Sequence, residues 1–171
     1  MTSLFLLFLL IILVVLSGFL SGSETAITAT SKARILYKKK KGSKRAGYVL
    51  ELLDKKDNVI STLLLSNNLV NILASSLATA FFYDLFGVEG IFYATLIMTV
   101  VIVIFAEVLP KTYAINRPNR TALLIAPIIY YLNKILFIFV FFINIIVRLI
   151  FRKNESDTLN KDIQSEEELK G

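Results

Sequence analysis

Three long apolar stretches, separated by blocks of charge, constrain this chain more than any other feature. Residues 4–20 read LFLLFLLIILVVLSGFL, and the helical pattern continues through Ser21, Gly22, Ser23 and Glu24 into Ala26 and Ile27. A second stretch runs from about Val59 to Tyr83 and a third from Ile91 to about Ile115. Each offers the roughly 20 residues that a helix needs to cross a hydrocarbon core about 30 Å thick. The chain is 56% hydrophobic and only 19% charged. Most of that charge lies between the stretches, as a bilayer demands of groups that must sit at different depths. The pattern predicts an all-α membrane protein, with one domain over residues 1–153 and spans at about 3–30, 58–83 and 90–116. Only Met1, Thr2 and Ser3 precede the first stretch, so it lacks the basic start of a secretory leader and is expected to be retained.

Ten of the 19 Lys and Arg residues fall between Lys32 and Lys56. A basic block beside a span marks the cytoplasmic face, where anionic lipid attracts it. The net charge of +6 therefore points to the lipid bilayer and not to nucleic acid. Between the second and third stretches, Asp84 to Gly90 carries two acids and no base. These charges predict a multi-pass protein of the cell's inner (plasma) membrane, with its N-terminus outside and its C-terminus cytoplasmic.

Residues 31–57 read as juxtamembrane amphipathic helices, with Tyr48, Leu52 and Leu53 on one face. Residues 118–152 are read as juxtamembrane too. Pro127, Asn133, Lys134, Asn144 and Arg148 interrupt their apolar character, which suits helices broken near Pro127 better than a fourth span. From Asn154 the composition turns polar and acidic, and 154–171 is expected to be a linker toward a cytoplasmic domain.

With no Cys and no His, disulfides, thiolate zinc sites and histidine acid–base chemistry are excluded. An intramembrane hydrolase would need an unusual Ser/Glu or Ser/Lys pair, so no enzyme is expected. Any metal site must be built from oxygen, which suits Mg²⁺ and other hard cations.

Polar groups inside the spans are costly, and an ionisable one is a functional candidate. Ser17 and Ser21 stand four apart on one helix face, interleaved with Gly18 and Gly22, which let another backbone come close. Asn67 and Asn71 repeat that spacing and offer two amide oxygens. Taken alone, each pair also fits ordinary helix packing. Glu107 is the one carboxylate inside the third stretch, and Pro110 has no N–H to give to the carbonyl of Ala106. Two hydroxyls, two amides, one carbonyl and one carboxylate make an oxygen-only set with a single negative charge.

Three segments in this order, Ser17-Gly-Phe-Leu-Ser21-Gly-Ser-Glu-Thr-Ala26, Asn67-Asn-Leu-Val-Asn71 and Glu107-Val-Leu-Pro110-Lys111, resemble the transmembrane domain (formerly domain of unknown function 21, DUF21) of the CorC/CNNM magnesium transporter family. The resemblance implies a homodimeric domain of three transmembrane helices plus a juxtamembrane helical part. It implies Mg²⁺ export coupled to Na⁺ influx, and a cytoplasmic CBS-domain pair that follows this region and binds ATP in the family. On the family's pattern the metal ligands fall on Ser17, Ser21, an asparagine of the second span (Asn67 or Asn71), the backbone at Ala106, and Glu107. The family commonly has Gly before the motif's Glu; here it is Ala106, whose methyl group narrows the site. A module that senses Mg²⁺, or regulates another transporter without transporting, would use the same residues and is the alternative.

Overall fold

The computed structural model describes residues 2–136, with side chains from Leu4 onward, and Met1–Lys134 form one compact unit. Every regular element among the described residues is a helix. In chain order these are α1 (Thr2–Ala29), α2 (Lys32–Lys40), α3 (Lys44–Asp54), α4 (Lys56–Phe86) and α5 (Glu89–Val101). A π-helical segment (Ile102–Val108), α6 (Leu109–Asn116) and α7 (Pro118–Ile135) follow. Three continuous rods, Leu4–Ala29, Lys56–Phe86 and Glu89–Asn116, are long and apolar enough to cross a membrane. The 154–171 linker and the end of 118–152 lie outside the described residues.

The breaks between helices have local causes. Gly42 (φ 87°) and Gly87 (φ 64°) adopt the left-handed conformation that side chains disfavour, and each ends a helix. Gly87 donates its N–H to Tyr83 O at 2.8 Å, closing the last turn of α4. α4 starts at Lys56, ahead of Asn58. Pro127 does not break α7, contrary to the expectation from sequence. Ala122, Ile125, Ala126 and Ile129 around it are buried, and that packing outweighs the one backbone bond that the proline removes.

Two kinds of packing hold the unit together. At the base, buried side chains of α3 (Val49, Leu52), α4 (Val59, Leu63) and α7 (Ile125, Ile129) form one core with Ile27 and Ile35. This resembles the interior of a soluble protein, held by apolar burial. Cross-links join it: Thr62 Oγ1 donates to Asn133 Oδ1 (2.8 Å), and Ser31 N–H to Asn119 Oδ1 (3.1 Å). The ion pair Lys32–Asp54 (2.6 Å) is about 60% exposed on both sides and adds little.

Within the spans the buried cluster is small, made of Leu10, Ala74, Ala78 and Met98. Large apolar side chains such as Phe5 (65% exposed), Ile72 (64%) and Phe92 (68%) point outward, as lipid-facing residues do. Lipid is as apolar as leucine, so span-to-span association relies on close contact and hydrogen bonds instead.

Close contact is most severe where α4 turns into α5. A Cβ on Gly90 would run into the Phe82 carbonyl oxygen, whereas one on Gly47 of α3 meets nothing. Gly90→Ala should therefore destabilise the protein by about 1–3 kcal/mol or more. Gly47→Ala should stabilise it by roughly 0.4–1 kcal/mol. Thermal melts in detergent check both, and equal shifts would contradict this packing.

Candidate functional site

A polar side chain inside a span has no water to turn to, so each must be matched with a partner in the protein. Most hydroxyls here are satisfied locally. Ser23 donates to Phe19 O (2.6 Å), Thr25 to Ser21 O (3.2 Å) and Ser66 to Thr62 O (2.7 Å), each one turn back.

Ser17 and Ser21 depart from this pattern. Ser17 is fully buried, and its Oγ lies 2.8 Å from Asn67 Oδ1 and 2.6 Å from Asn71 Oδ1. A hydroxyl carries one proton and can donate it fully to one acceptor. Three oxygens from two helices thus converge where a single hydrogen must serve two contacts. Ser21, one turn further on, is also fully buried, and its Oγ has no partner among the described residues. Leaving a buried hydroxyl unpaired costs about 1–3 kcal/mol. Ser17, Asn67 and Asn71 thus form one polar cluster beside Ser21, in which either amide can present its oxygen or its N–H to the Ser17 hydroxyl.

The third span supplies the other side. The glycines of α1 lie against it so closely that a Cβ on Gly18 would sit 3.1 Å from Phe105 O and 3.2 Å from Pro110 Cγ. One on Gly22 would sit 3.3 Å from both Pro110 Cβ and Pro110 O. Hence Ser17 and Ser21, interleaved with these glycines, lie beside the π segment. Ala106 is fully buried there.

The π segment is the feature that the sequence did not reveal. Leu109 N–H bonds to Ile104 O, five residues back instead of four. In α register the missing N–H of Pro110 leaves Ala106 O without a donor; in π register it leaves Phe105 O without one. The register change therefore shifts the unpaired acceptor from Ala106 O to Phe105 O, which faces Gly18 of α1. Pro110 signals this only if donors are counted five residues back as well as four.

Glu107 is half-buried on the same segment and makes no hydrogen bond or ion pair among the described residues, with Lys111 or with the α1 serines. Asn71 is half-buried and Asn67 is 6% exposed. The structure thus joins Ser17, Asn67 and Asn71 directly. It sets Ala106 against the glycine face of α1 and leaves the Glu107 carboxylate unengaged. Among the described residues no three His, Cys, Asp or Glu side chains group together, so a metal bound here would meet mostly neutral oxygens.

Comparison with known proteins gives a consistent result. Residues 8–171 match the family described as the cyclin M (CNNM) transmembrane N-terminal domain. The chain is 38% identical over 161 residues to the UPF0053 inner membrane protein YfjD of Escherichia coli (strain K12), covering 91% of this chain and 37% of that one. It is 37% identical over 140 residues to a UPF0053 protein of Haemophilus influenzae, covering 82% and 33%. A chloroplastic DUF21 domain-containing protein of Arabidopsis thaliana is 31% identical over 131 residues, covering 75% and 20%. The chain spans about a third of the length of the two bacterial relatives.

Ser21→Ala separates stability from binding. It removes an unpaired buried hydroxyl, so the ion-free protein should melt at the same temperature as wild type or higher. Where a cation such as Mg²⁺ binds this cluster and raises the wild-type melting temperature, that rise should shrink in the variant. A clear drop in the ion-free melting temperature would mean that Ser21 has a structural partner.

Proposed function

The chain belongs to the CNNM family of transmembrane domains, and from that premise we propose that it carries Mg²⁺ across a membrane through a site between α1, α4 and the π segment. The converging oxygens of Ser17, Asn67 and Asn71 beside the unpaired Ser21 carry this reading. With the Glu107 carboxylate and a backbone carbonyl at Ala106 or Phe105, the inventory is six oxygens. That is the number an octahedral Mg²⁺ takes.

Each residue type has a distinct task. Ser17 and Ser21 present hydroxyl oxygens at fixed depth on a helix whose glycines hold it close. Asn67 and Asn71 add stronger neutral dipoles. Glu107 supplies the charge that distinguishes a cation from water. Proline 110 keeps a carbonyl available, and the π turn gives the third span a joint at which two packings can interconvert. Alternation between them would expose the site to one face and then the other.

The family suggests export driven by Na⁺ influx, in a homodimer, under the control of an ATP-binding CBS pair beyond this region. Charge supports placing the basic α2–α3 hairpin in the cytoplasm and the N-terminus outside. The relative from Escherichia coli, described as an inner membrane protein, supports the same membrane for this chain.

Titration calorimetry of the purified protein in detergent tests the site, and Mg²⁺ flux in proteoliposomes tests transport. Glu107→Gln keeps the shape and removes the charge, so it should lower Mg²⁺ affinity at least tenfold while the protein stays folded. Unchanged affinity would remove Glu107 from the site. Binding without any flux in wild type would favour a Mg²⁺ sensor over a transporter.

A further inference from the structure

The basic hairpin has a side that the core leaves uncovered. Ile35 of α2 is fully buried and anchors the helix to the basal core. On α3, Tyr48, Leu52 and Leu53, the apolar face that spacing picks out, pack into the same core. Ala33 and Tyr37 stand two residues to either side of Ile35, about 200° around the helix, and so turn outward. Leu36, three residues on from Ala33, extends the same side. Leu36 is 43% exposed and Tyr37 60%, so α2 keeps a second apolar stripe that nothing among the described residues covers.

Cations flank that stripe. Lys40 and Lys41 follow Leu36 and Tyr37 by one helical turn, and the Lys41 ammonium lies 4.7 Å from the centre of the Tyr37 ring. Arg34, Lys38, Lys39, Lys44 and Arg45 are exposed as well. Against the ten Lys and Arg residues between Lys32 and Lys56 stand only Glu51 and Asp54, and Asp54 pairs with Lys32. Among the described residues no cation from Arg34 to Arg45 has a carboxylate partner. A block this crowded repels itself until anions approach it.

Depth decides which anions can. Lys56 Nζ donates to Thr28 O (3.2 Å), which sets the start of α4 level with the end of α1. Ser31 N–H reaches Asn119, just past the end of the third span at Asn116. The ends of all three spans therefore meet here, and only Thr30 and Ser31 separate α1 from α2. The stripe lies where hydrocarbon gives way to phosphodiester headgroups. A soluble acidic partner or a nucleic acid would answer the charge but leave Leu36 and Tyr37 in water. A lipid surface answers both, with apolar side chains among its upper acyl carbons and cations among its phosphates.

We propose that the outward face of α2, from Ala33 to Lys41, is a docking surface for anionic phospholipids of the bilayer that the protein spans. Positive charge alone orients a chain in the membrane. This face goes further and selects lipid, holding headgroup phosphates at Arg34, Lys40 and Lys41 with Leu36 and Tyr37 inserted beside them. It uses none of the ion-site residues and does not rest on the transport reading.

The chain has no Trp, so Tyr37→Trp places a single fluorophore on this face. The whole chain is reconstituted in vesicles that contain brominated phosphatidylglycerol or the same share of brominated phosphatidylcholine, and quenching of that fluorophore is compared. Expected is quenching at least twofold stronger from the glycerol lipid, a difference that shrinks as salt screens the cations. Adding Arg34→Gln/Lys40→Gln/Lys41→Gln should abolish the difference. The lipid comparison needs Tyr37→Trp alone, so it stands even where the charge variant fails to fold. Equal quenching by the two lipids would overturn the proposal, leaving a helix bathed in bilayer without headgroup selection. Quenching by soluble acrylamide and by neither lipid would overturn it in favour of a water-borne partner. A difference erased by inorganic phosphate at constant ionic strength would show that the face reads free phosphate and not lipid.

Discussion

The contact on which the rest of this domain depends is that of the α1 glycines with the turn around Pro110. Inside a bilayer, apolar surface gains little by leaving lipid for protein, so helices hold together only where backbones come close or polar groups bond. Gly18 and Gly22 allow both. They admit Phe105 O and the proline ring to distances that a methyl group would contest. The serines interleaved with them are thereby held against the third span at a fixed depth. A methyl group at either glycine would meet Phe105 O or Pro110 at 3.1–3.3 Å, and the two helices would have to shift to admit it.

The same contact explains why a π segment persists. A widened turn normally sacrifices hydrogen-bond geometry, and Pro110 has already removed one donor from this stretch. The α1 backbone packs against the widened turn at Phe105 O, the carbonyl that Pro110 leaves without a donor. The segment therefore holds Phe105 O against Gly18 of α1, with Glu107 half-buried on the same segment. Stability is given up at this point and recovered in the basal core, where α3, α4 and α7 bury ordinary aliphatic side chains.

Much of this was legible in the sequence because a membrane writes its constraints plainly. Apolar runs and charge blocks marked the three spans, and i, i+4 spacing put Ser17 with Ser21 and Asn67 with Asn71. The structure then brings both asparagines to the same hydroxyl, that of Ser17. Three features escaped. The π register depends on contact between spans and leaves no mark on composition. Helicity across Pro127 follows from burial of its neighbours, which a local rule for proline does not weigh. The bond from Thr62 to Asn133 joins residues 71 apart in sequence, and neither lies in a recognisable pattern.

On the proposed reading, the charge of the site bears on how firmly it would hold an ion. One carboxylate and five neutral oxygens leave a bound Mg²⁺ with a net charge of +1 in surroundings of low dielectric, where residual charge is expensive. Two or three carboxylates would bind the ion more tightly and release it more slowly, as in sites that retain metal for structure. A conducting or cycling site needs the opposite balance, favourable enough to admit the ion and weak enough to lose it. The undersubscribed hydroxyls fit that balance from the other direction. The unpaired Ser21 hydroxyl raises the free energy of the empty site without adding charge to the filled one, which offsets part of the cost of that residual charge. A site with a small difference between filled and empty is one that a second ion or a change of packing can tip.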